Sequence, residues 1–262
     1  MEFRTVVTLR KMNFWIEPLE SILFVGSCFA DSIGRRFEEE HFPVVVNPDG
    51  VVYNPVSILH TIQKYNDVPR IVFLTLGTNH VYRLKETGEI VDNCQKRPQS
   101  LFLEEDLSVE QCVDALSLVV ECLRKRRQDV QIVLTVSPIR YAKYGFHGSQ
   151  LSKAVLLLAV DRMTRKYDFV SYFPAYEIVL DELRDYRFYQ PDMLHPSSQA
   201  VEYIWQQLVD CCFSDRAKKF LAEWRPIKEA LAHRPFHPES ERYQRFLEDT
   251  KKKEQVLLAL YI

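Results

Sequence analysis

Glycine is scarce in this chain. Seven occur in 262 residues, against the roughly 18 that average usage near 7% would give. Where glycine is used so sparingly, each one marks a backbone need such as positive φ or close approach. Gly26, Gly50 and Gly77 each stand at or near the end of an apolar segment. Long apolar runs are missing too. No segment approaches the roughly 20 apolar residues of a membrane helix, and the opening "MEFRTVVTLRKMNFW" holds no signal-peptide core. The six cysteines, at 28, 94, 112, 122, 211 and 212, form no CxxC pair. A chain this large needs no disulfide staples, so the expected compartment is reducing and cytoplasmic. A formal net charge of −2 gives no pull towards nucleic acid or anionic membranes. The basic runs "RKRR" (124–127) and "KKK" (251–253) read as solvated helix faces. His80, His147 and His195 share no HxxxH or HxH spacing, so no metal site is expected from them.

With 47% hydrophobic and 27% charged residues, the composition is that of an ordinary globular protein. Short apolar runs rich in β-branched and aromatic residues predict strands at 22–25, 71–76, 131–136 and 168–173, with a shorter one at 43–46. Their hydrophobicity is continuous rather than alternating, which suits strands covered on both faces. Helical patterns separate them. Ser108 and Gln111 make a capping box before Cys112, Leu116, Val119 and Leu123. Asn54 and Pro55 form a helix start. Cys112 and Cys122 fall in an amphipathic helix as small core fillers. This alternation through residue 213 predicts a doubly wound α/β domain over 1–213. Residues 214–262 read as a helical extension broken at 233–240, packed on the same domain or used for self-association.

In open α/β sheets, sites form beyond the carboxyl ends of the strands. Gly26, Ser27 and Cys28 follow the first strand, Gly50 the second, and Gly77, Asn79 and His80 the third. Ser137, Arg140 and His147 follow the fourth, and Asp192 and His195 follow the fifth strand and a helix. A serine hydroxyl needs a base to become a nucleophile, and a histidine held by a carboxylate is such a base. Asp192 and His195 lie three residues apart in a turn between Pro191 and Pro196, which lets the carboxylate reach the ring. Ser27 is then the expected nucleophile. Its own N–H, the N–H of Gly50 and the Asn79 amide are the expected oxyanion donors.

The literal string "GSCFA" stands at 26–30, followed by "NPDGVVYNPVSI" (47–58) and "LTLGTNHVYR" (74–83). "TVSPIR" (135–140), "HGSQLSKAVL" (147–156) and "DMLHPS" (192–197) come after it. This ordered set resembles the GSCFA family of the SGNH, or GDSL-like, hydrolase superfamily, from "FRTVV" into the helical tail. The resemblance implies a flavodoxin-like α/β/α sheet of about five parallel strands and no metal or other cofactor. It places Ser27 as nucleophile, Asp192 and His195 as the terminal pair, and Gly50 and Asn79 as oxyanion donors. The activity it implies is hydrolysis or transfer of acyl esters, often on carbohydrates or lipids. Two residues depart from the wider superfamily: Gly26 and His80 stand where aspartate is common.

Each of these residues has a plainer reading. Ser27 also suits a helix N-cap, Asp192 a loop carboxylate and Asn79 a turn cap. Cys28 is the alternative nucleophile, because a helix N-terminus lowers thiol pKa; its side chain is expected to point into packing. His80, Arg140 and His147 are candidates for substrate contact, and Lys153 for contact with an anionic substrate or plain solvation. Tyr53, Tyr82 and Tyr141 are candidates for an aromatic rim suited to sugars. The expected substrate is a small-molecule or saccharide acyl ester. An acyltransferase with the same triad, and a non-catalytic binding module on the same fold, are the competing functions.

Overall fold

The structure is a computed structural model that describes residues 3–92 and 97–261. Cys94 lies outside the described residues. The first half runs β1 (Ile22–Gly26), α1 (Cys28–Glu39), β2 (Val44–Val46), α2 (Pro55–Lys64) and β3 (Ile71–Leu76). Three short strands follow, β4 (His80–Leu84), β5 (Ile90–Val91) and β6 (Phe102–Asp106), then α3 (Val109–Arg126) and β7 (Gln131–Val136). The second half contains α4 (Gly145–Lys166), β8 (Val170–Tyr172), the single turn α5 (Ala175–Glu177), and α6 (Ser198–Cys212). Helices α7 (Asp215–Ala232) and α8 (Glu241–Tyr261) complete the chain.

Five strands form one parallel sheet in the order β2-β1-β3-β7-β8. Because strand side chains alternate between faces, the continuous apolar runs feed two cores. Ile22, Phe24, Ile71, Phe73 and Val133 face one layer of helices with Phe29, Ile33 and Phe37 of α1 and Ile204, Trp205 and Leu208 of α6. Leu23, Val25, Val72, Leu74, Ile132 and Leu134 face the other, with Ile58 and Ile62 of α2, Leu116 and Val120 of α3, and Leu156 and Met163 of α4. The architecture is three-layered α/β/α. Phe24 stacks on Phe73 at 4.8 Å, and Phe37 meets Trp205 edge-on at 4.8 Å. Each such buried ring contributes about 1.5–3 kcal/mol.

Polar side chains fix where the helices begin. Asn54 caps α2 ahead of Pro55, Ser108 and Gln111 form a capping box on α3, and Ser197 and Ser214 cap α6 and α7. The tail packs back on the α1–α6 face. Phe220 and Trp224 of α7 and Leu257 and Tyr261 of α8 join that core. Trp224 Nε1 donates to the carbonyl of Glu39 at the end of α1, at 3.1 Å, satisfying one of the carbonyls a helix terminus leaves free. No helix among the described residues is long and apolar enough to cross a membrane.

Two differences from the sequence reading matter for the site. The segment after β3, in which the sequence predicts no strand, contains the antiparallel sheet β5-β4-β6, in which His80 lies opposite Asp106. "HVYRL" is buried only at its first two residues and "FLEED" carries exposed carboxylates, so no buried run announces them. Helix α4 begins at Gly145, ahead of the "GSQLSK" start read from the sequence.

Candidate active site

Register sets the floor of the site. Gly26 lies opposite Thr75 and Thr75 opposite Thr135, so the turns leaving β1, β3 and β7 lie side by side at the carboxyl edge of the sheet. Gly26 has φ of +143°, and a Cβ there would lie 2.1 Å from the carbonyl oxygen of Thr75. Only glycine permits so close an approach. Its N–H donates to Asn47 Oδ1 at 2.8 Å, which ties β1 to the turn after β2.

Ser27 is not where a triad nucleophile was expected. It has no exposed surface. Its N–H donates to the Thr75 carbonyl at 3.1 Å, and its Oγ accepts the Phe29 N–H at 3.3 Å as the N-cap of α1. The same Oγ lies 3.3 Å from Thr75 Oγ1. The buried end of a parallel strand must satisfy its polar groups internally, and Ser27 does so for the β1–α1 turn. Cys28 also departs from expectation. It is partly exposed rather than sealed in packing, and its Sγ lies 3.7 Å from the Tyr53 hydroxyl.

The three expected oxyanion donors are engaged elsewhere. The Ser27 N–H serves Thr75. The Gly50 N–H closes a turn onto the Asn47 carbonyl at 2.8 Å, on an exposed glycine. The Asn79 Nδ2 donates to the Leu107 carbonyl at 2.8 Å, pinning the entry to α3, while its backbone N–H donates to Ser152 Oγ at 3.0 Å. Asn79 Oδ1 is buried without a partner.

The Asp192–His195 loop has the geometry of a base and its orienting carboxylate. Asp192 Oδ2 lies 2.6 Å from His195 Nδ1, while Oδ1 accepts the N–H groups of Leu194 at 2.9 Å and His195 at 3.0 Å. The backbone N–H groups of His195 and Leu194, then the imidazole, pull the Asp192 pKa down to about 2. An ionised Asp192 holds the proton on Nδ1 and leaves Nε2 as the basic atom. The loop is anchored at both sides. Gln190 N–H donates to the His195 carbonyl at 2.7 Å, Arg140 N–H to Leu194 at 3.1 Å, and Arg140 Nη1 to Met193 at 3.1 Å. Arg140 thus clamps this loop to the segment after β7, with its guanidinium 4.0 Å from the Phe146 ring centre. That differs from the expected substrate contact. Among the described residues no hydrogen bond joins His195 to Ser27 or Cys28.

The tyrosines link the two halves. Tyr53 and Tyr141 meet edge-on at 6.0 Å. The Tyr53 carbonyl accepts the N–H groups of Gly77 at 2.8 Å and Thr78 at 2.9 Å. Tyr141, next to Arg140, places its hydroxyl 2.6 Å from where a Gly77 Cβ would stand. Tyr82 belongs to a different cluster, donating to Glu104 at 3.2 Å, so only two of the three candidate rim tyrosines meet. His80 sits in that second cluster, its Nδ1 against the Asp106 carboxylate and its ring stacked 3.6 Å from Tyr144. His147 is exposed in the first turn of α4.

Lys153 overturns the reading of a surface or substrate lysine. It is fully buried, and its Nζ donates to the carbonyls of Gly77 and Ser137, each at 2.7 Å. Burial pushes its pKa down to about 7. The signal was in the sequence: 149, 152, 153, 156, 160 and 163 form one buried stripe of α4, and the lysine lies on it.

A parallel α/β/α sheet with a histidine–carboxylate loop at its carboxyl edge defines the class of this chain. The chain belongs to the GSCFA family: the GSCFA family matches residues 21–68 and 67–208, and the GSCFA domain protein, C-terminal domain, matches 224–261. A search of curated proteins gave no match. Among solved structures, the chain is similar to a family 3 carbohydrate esterase of Clostridium thermocellum, with 15% identity, 73% of this chain and 96% of that one covered, and a TM-score of 0.43. It is similar to a carbohydrate esterase family 3 protein of Talaromyces cellulolyticus at 12% identity, covering 79% and 99%, with a TM-score of 0.44. For a GDSL-like lipase of Bacteroides thetaiotaomicron the values are 13%, 73%, 86% and 0.47.

Proposed function

We propose that this protein cleaves carboxylic acyl esters at the carboxyl edge of its sheet, with His195 as general base and Asp192 as its orienting carboxylate. The observation that carries the reading is the 2.6 Å contact between Asp192 Oδ2 and His195 Nδ1, in a loop that Arg140 ties to the segment after β7. That contact frees Nε2 to take a proton from a nucleophile and return it to the leaving alcohol. Water then attacks the acyl-enzyme, activated by the same nitrogen. The missing hydrogen bond between base and nucleophile fits a site without substrate, where such bonds are often long until substrate binds. An O-acylated saccharide suits the aromatic face that Tyr53 presents to solvent beside the β1–α1 turn.

The test is hydrolysis of p-nitrophenyl acetate and an O-acetylated oligosaccharide by wild type, His195→Ala and Asp192→Asn. Wild type is expected to turn over, with kcat/KM lowered about 100- to 10,000-fold in His195→Ala. Folded wild type that cleaves neither ester, or His195→Ala at wild-type rate, would overturn the reading.

A further inference from the structure

The turn that leaves β1 offers two side chains able to attack an acyl carbon, and the structure treats them oppositely. Ser27 has its N–H on Thr75, its Oγ on the Phe29 N–H and no exposed surface. An attacking oxygen there would have to abandon the cap and reach through the turn. Cys28 opens α1, so its backbone N–H precedes any intrahelical acceptor and its sulfur sits at the positive end of a 12-residue helix. Its side chain reaches the surface of the site.

One hydroxyl contacts that sulfur, and a second tyrosine meets the first edge-on, with ring centres 6.0 Å apart. Tyr53 Oη is 3.7 Å from Sγ. Tyr141 Oη is buried, has no hydrogen-bond partner, and occupies the space above Gly77 that any side chain there would take. Burial together with the nearby Tyr53 and Cys28 holds the Tyr141 pKa well above the usual phenol value, so the group keeps its proton and can donate it to a hydrogen bond. A buried donor without an acceptor is destabilising relative to a satisfied one. One held over Gly77 beside Tyr53, near enough to Cys28 to feel its charge, marks where a ligand oxygen belongs.

We propose that Cys28, rather than Ser27, is the residue that carries the acyl group, and that the Tyr141 hydroxyl is the donor for the oxyanion formed on it. The assignment rests on the ester-cleaving reading above. His195 Nε2 takes the proton from the Cys28 thiol. The thiolate forms a C–S bond to the acyl carbon as the carbonyl π pair moves onto oxygen, where Tyr141 Oη–H and the Cys28 N–H donate to it. The oxygen pair returns, the bond to the alcohol oxygen breaks, and that oxygen takes the proton from His195. Water, deprotonated by His195, attacks the thioester carbon; the C–S bond breaks and the thiolate regains its proton. Ester and water are the only reactants, and no oxidant is required. The three donors expected from the sequence are all engaged, so this pair also supplies the oxyanion site they leave unfilled.

The experiment has two arms on the full chain. In the first, protein is mixed with p-nitrophenyl acetate, quenched in acid and mapped by peptide mass spectrometry, with kcat measured for Cys28→Ala, Ser27→Ala and Tyr141→Phe. The acetyl group is expected on Cys28, labile to neutral hydroxylamine. Cys28→Ala is expected to lose activity at least 100-fold, Ser27→Ala to stay within a few-fold, and Tyr141→Phe to lose about 100-fold in kcat. An acetyl group on Ser27, or Cys28→Ala at wild-type rate, would overturn the proposal while leaving the ester-cleaving reading in place. The second arm needs no ester: the pH dependence of Cys28 alkylation by iodoacetamide, resolved by peptide, in wild type and His195→Gln. Faster alkylation near neutrality that depends on His195 supports the proposal even if neither test ester is cleaved, a result that counts against the ester reading alone. Alkylation of Cys28 like that of the unfolded chain, unchanged by His195→Gln, would sink it.

Discussion

Replacing Lys153 by methionine removes a buried ammonium and keeps most of the volume that α4 packs against the sheet edge. In the native protein this lysine releases its proton at about pH 7, against the usual 10.5. The unfolded chain therefore holds more protons than the native one between those values, and stability must rise with pH across that window. At ~1.4 kcal/mol per pH unit, the gap from 10.5 to about 7 corresponds to about 5 kcal/mol over the whole range. About 3 kcal/mol of it is recovered between about pH 7 and about pH 9.5. Methionine also leaves the Gly77 and Ser137 carbonyls without their donor, costing about 1–3 kcal/mol each, and this loss does not depend on pH. This constant loss cancels when two pH values are compared, which leaves the contribution of the lysine's charge. Urea unfolding of both proteins at about pH 7 and about pH 9.5, in reducing buffer, measures it, because ionisation of cysteines and tyrosines affects both alike. The advantage of wild type over Lys153→Met should grow by about 3 kcal/mol. Parallel pH curves would show that Lys153 is not held in a site that resists its charge.

Other perturbations follow from single contacts. Gly77→Ala would place a Cβ 2.6 Å from Tyr141 Oη and 3.1 Å from the Tyr53 carbonyl; it should cost about 1–3 kcal/mol, and Tyr141→Phe should restore part of that in urea unfolding. Ser27→Ala should cost about 1 kcal/mol, as for other lost N-caps, with far-UV circular dichroism unchanged. Asp192, lowered to about pKa 2, is ionised above that value and loses its charge only as pH falls through it. The pH–rate profile should therefore show no ionisation from Asp192 between pH 3 and 5, and a slope of two there would contradict the assigned contacts. Leu257→Ala, at the contact of α8 with the main core, should cost about 2–5 kcal/mol in global stability if the tail unfolds with the domain.

The parallel sheet was legible because burial on both faces writes itself as uninterrupted apolar runs, and the helix starts were legible because Asn54 and Ser108 act within three residues of themselves. The Asp192–His195 pair was legible for the same reason, since a carboxylate three residues from an imidazole meets it within one turn. The strands at 80–84 and 102–106 were not, because their pairing crosses a long connection and their outer faces are polar.

The sequence by itself determined the order of the parallel strands and the helices between them, the caps that start the helices, the sharp turn at Gly26, and the carboxylate that orients His195. All of these depend on periodicity or on partners close along the chain. Only the tertiary structure decided which side chain of the β1–α1 turn faces inward. Thr75, 48 residues away, takes both the N–H and the neighbourhood of the Ser27 hydroxyl, while Tyr53, from another loop, meets Cys28 and is itself met by Tyr141 from a third. It likewise turned Lys153 from a surface charge into a buried clamp between two strand ends. Hydrogen-bond partners that come from distant strands leave no spacing to read, and a buried polar group takes whichever of them the packed sheet brings within 3 Å or so.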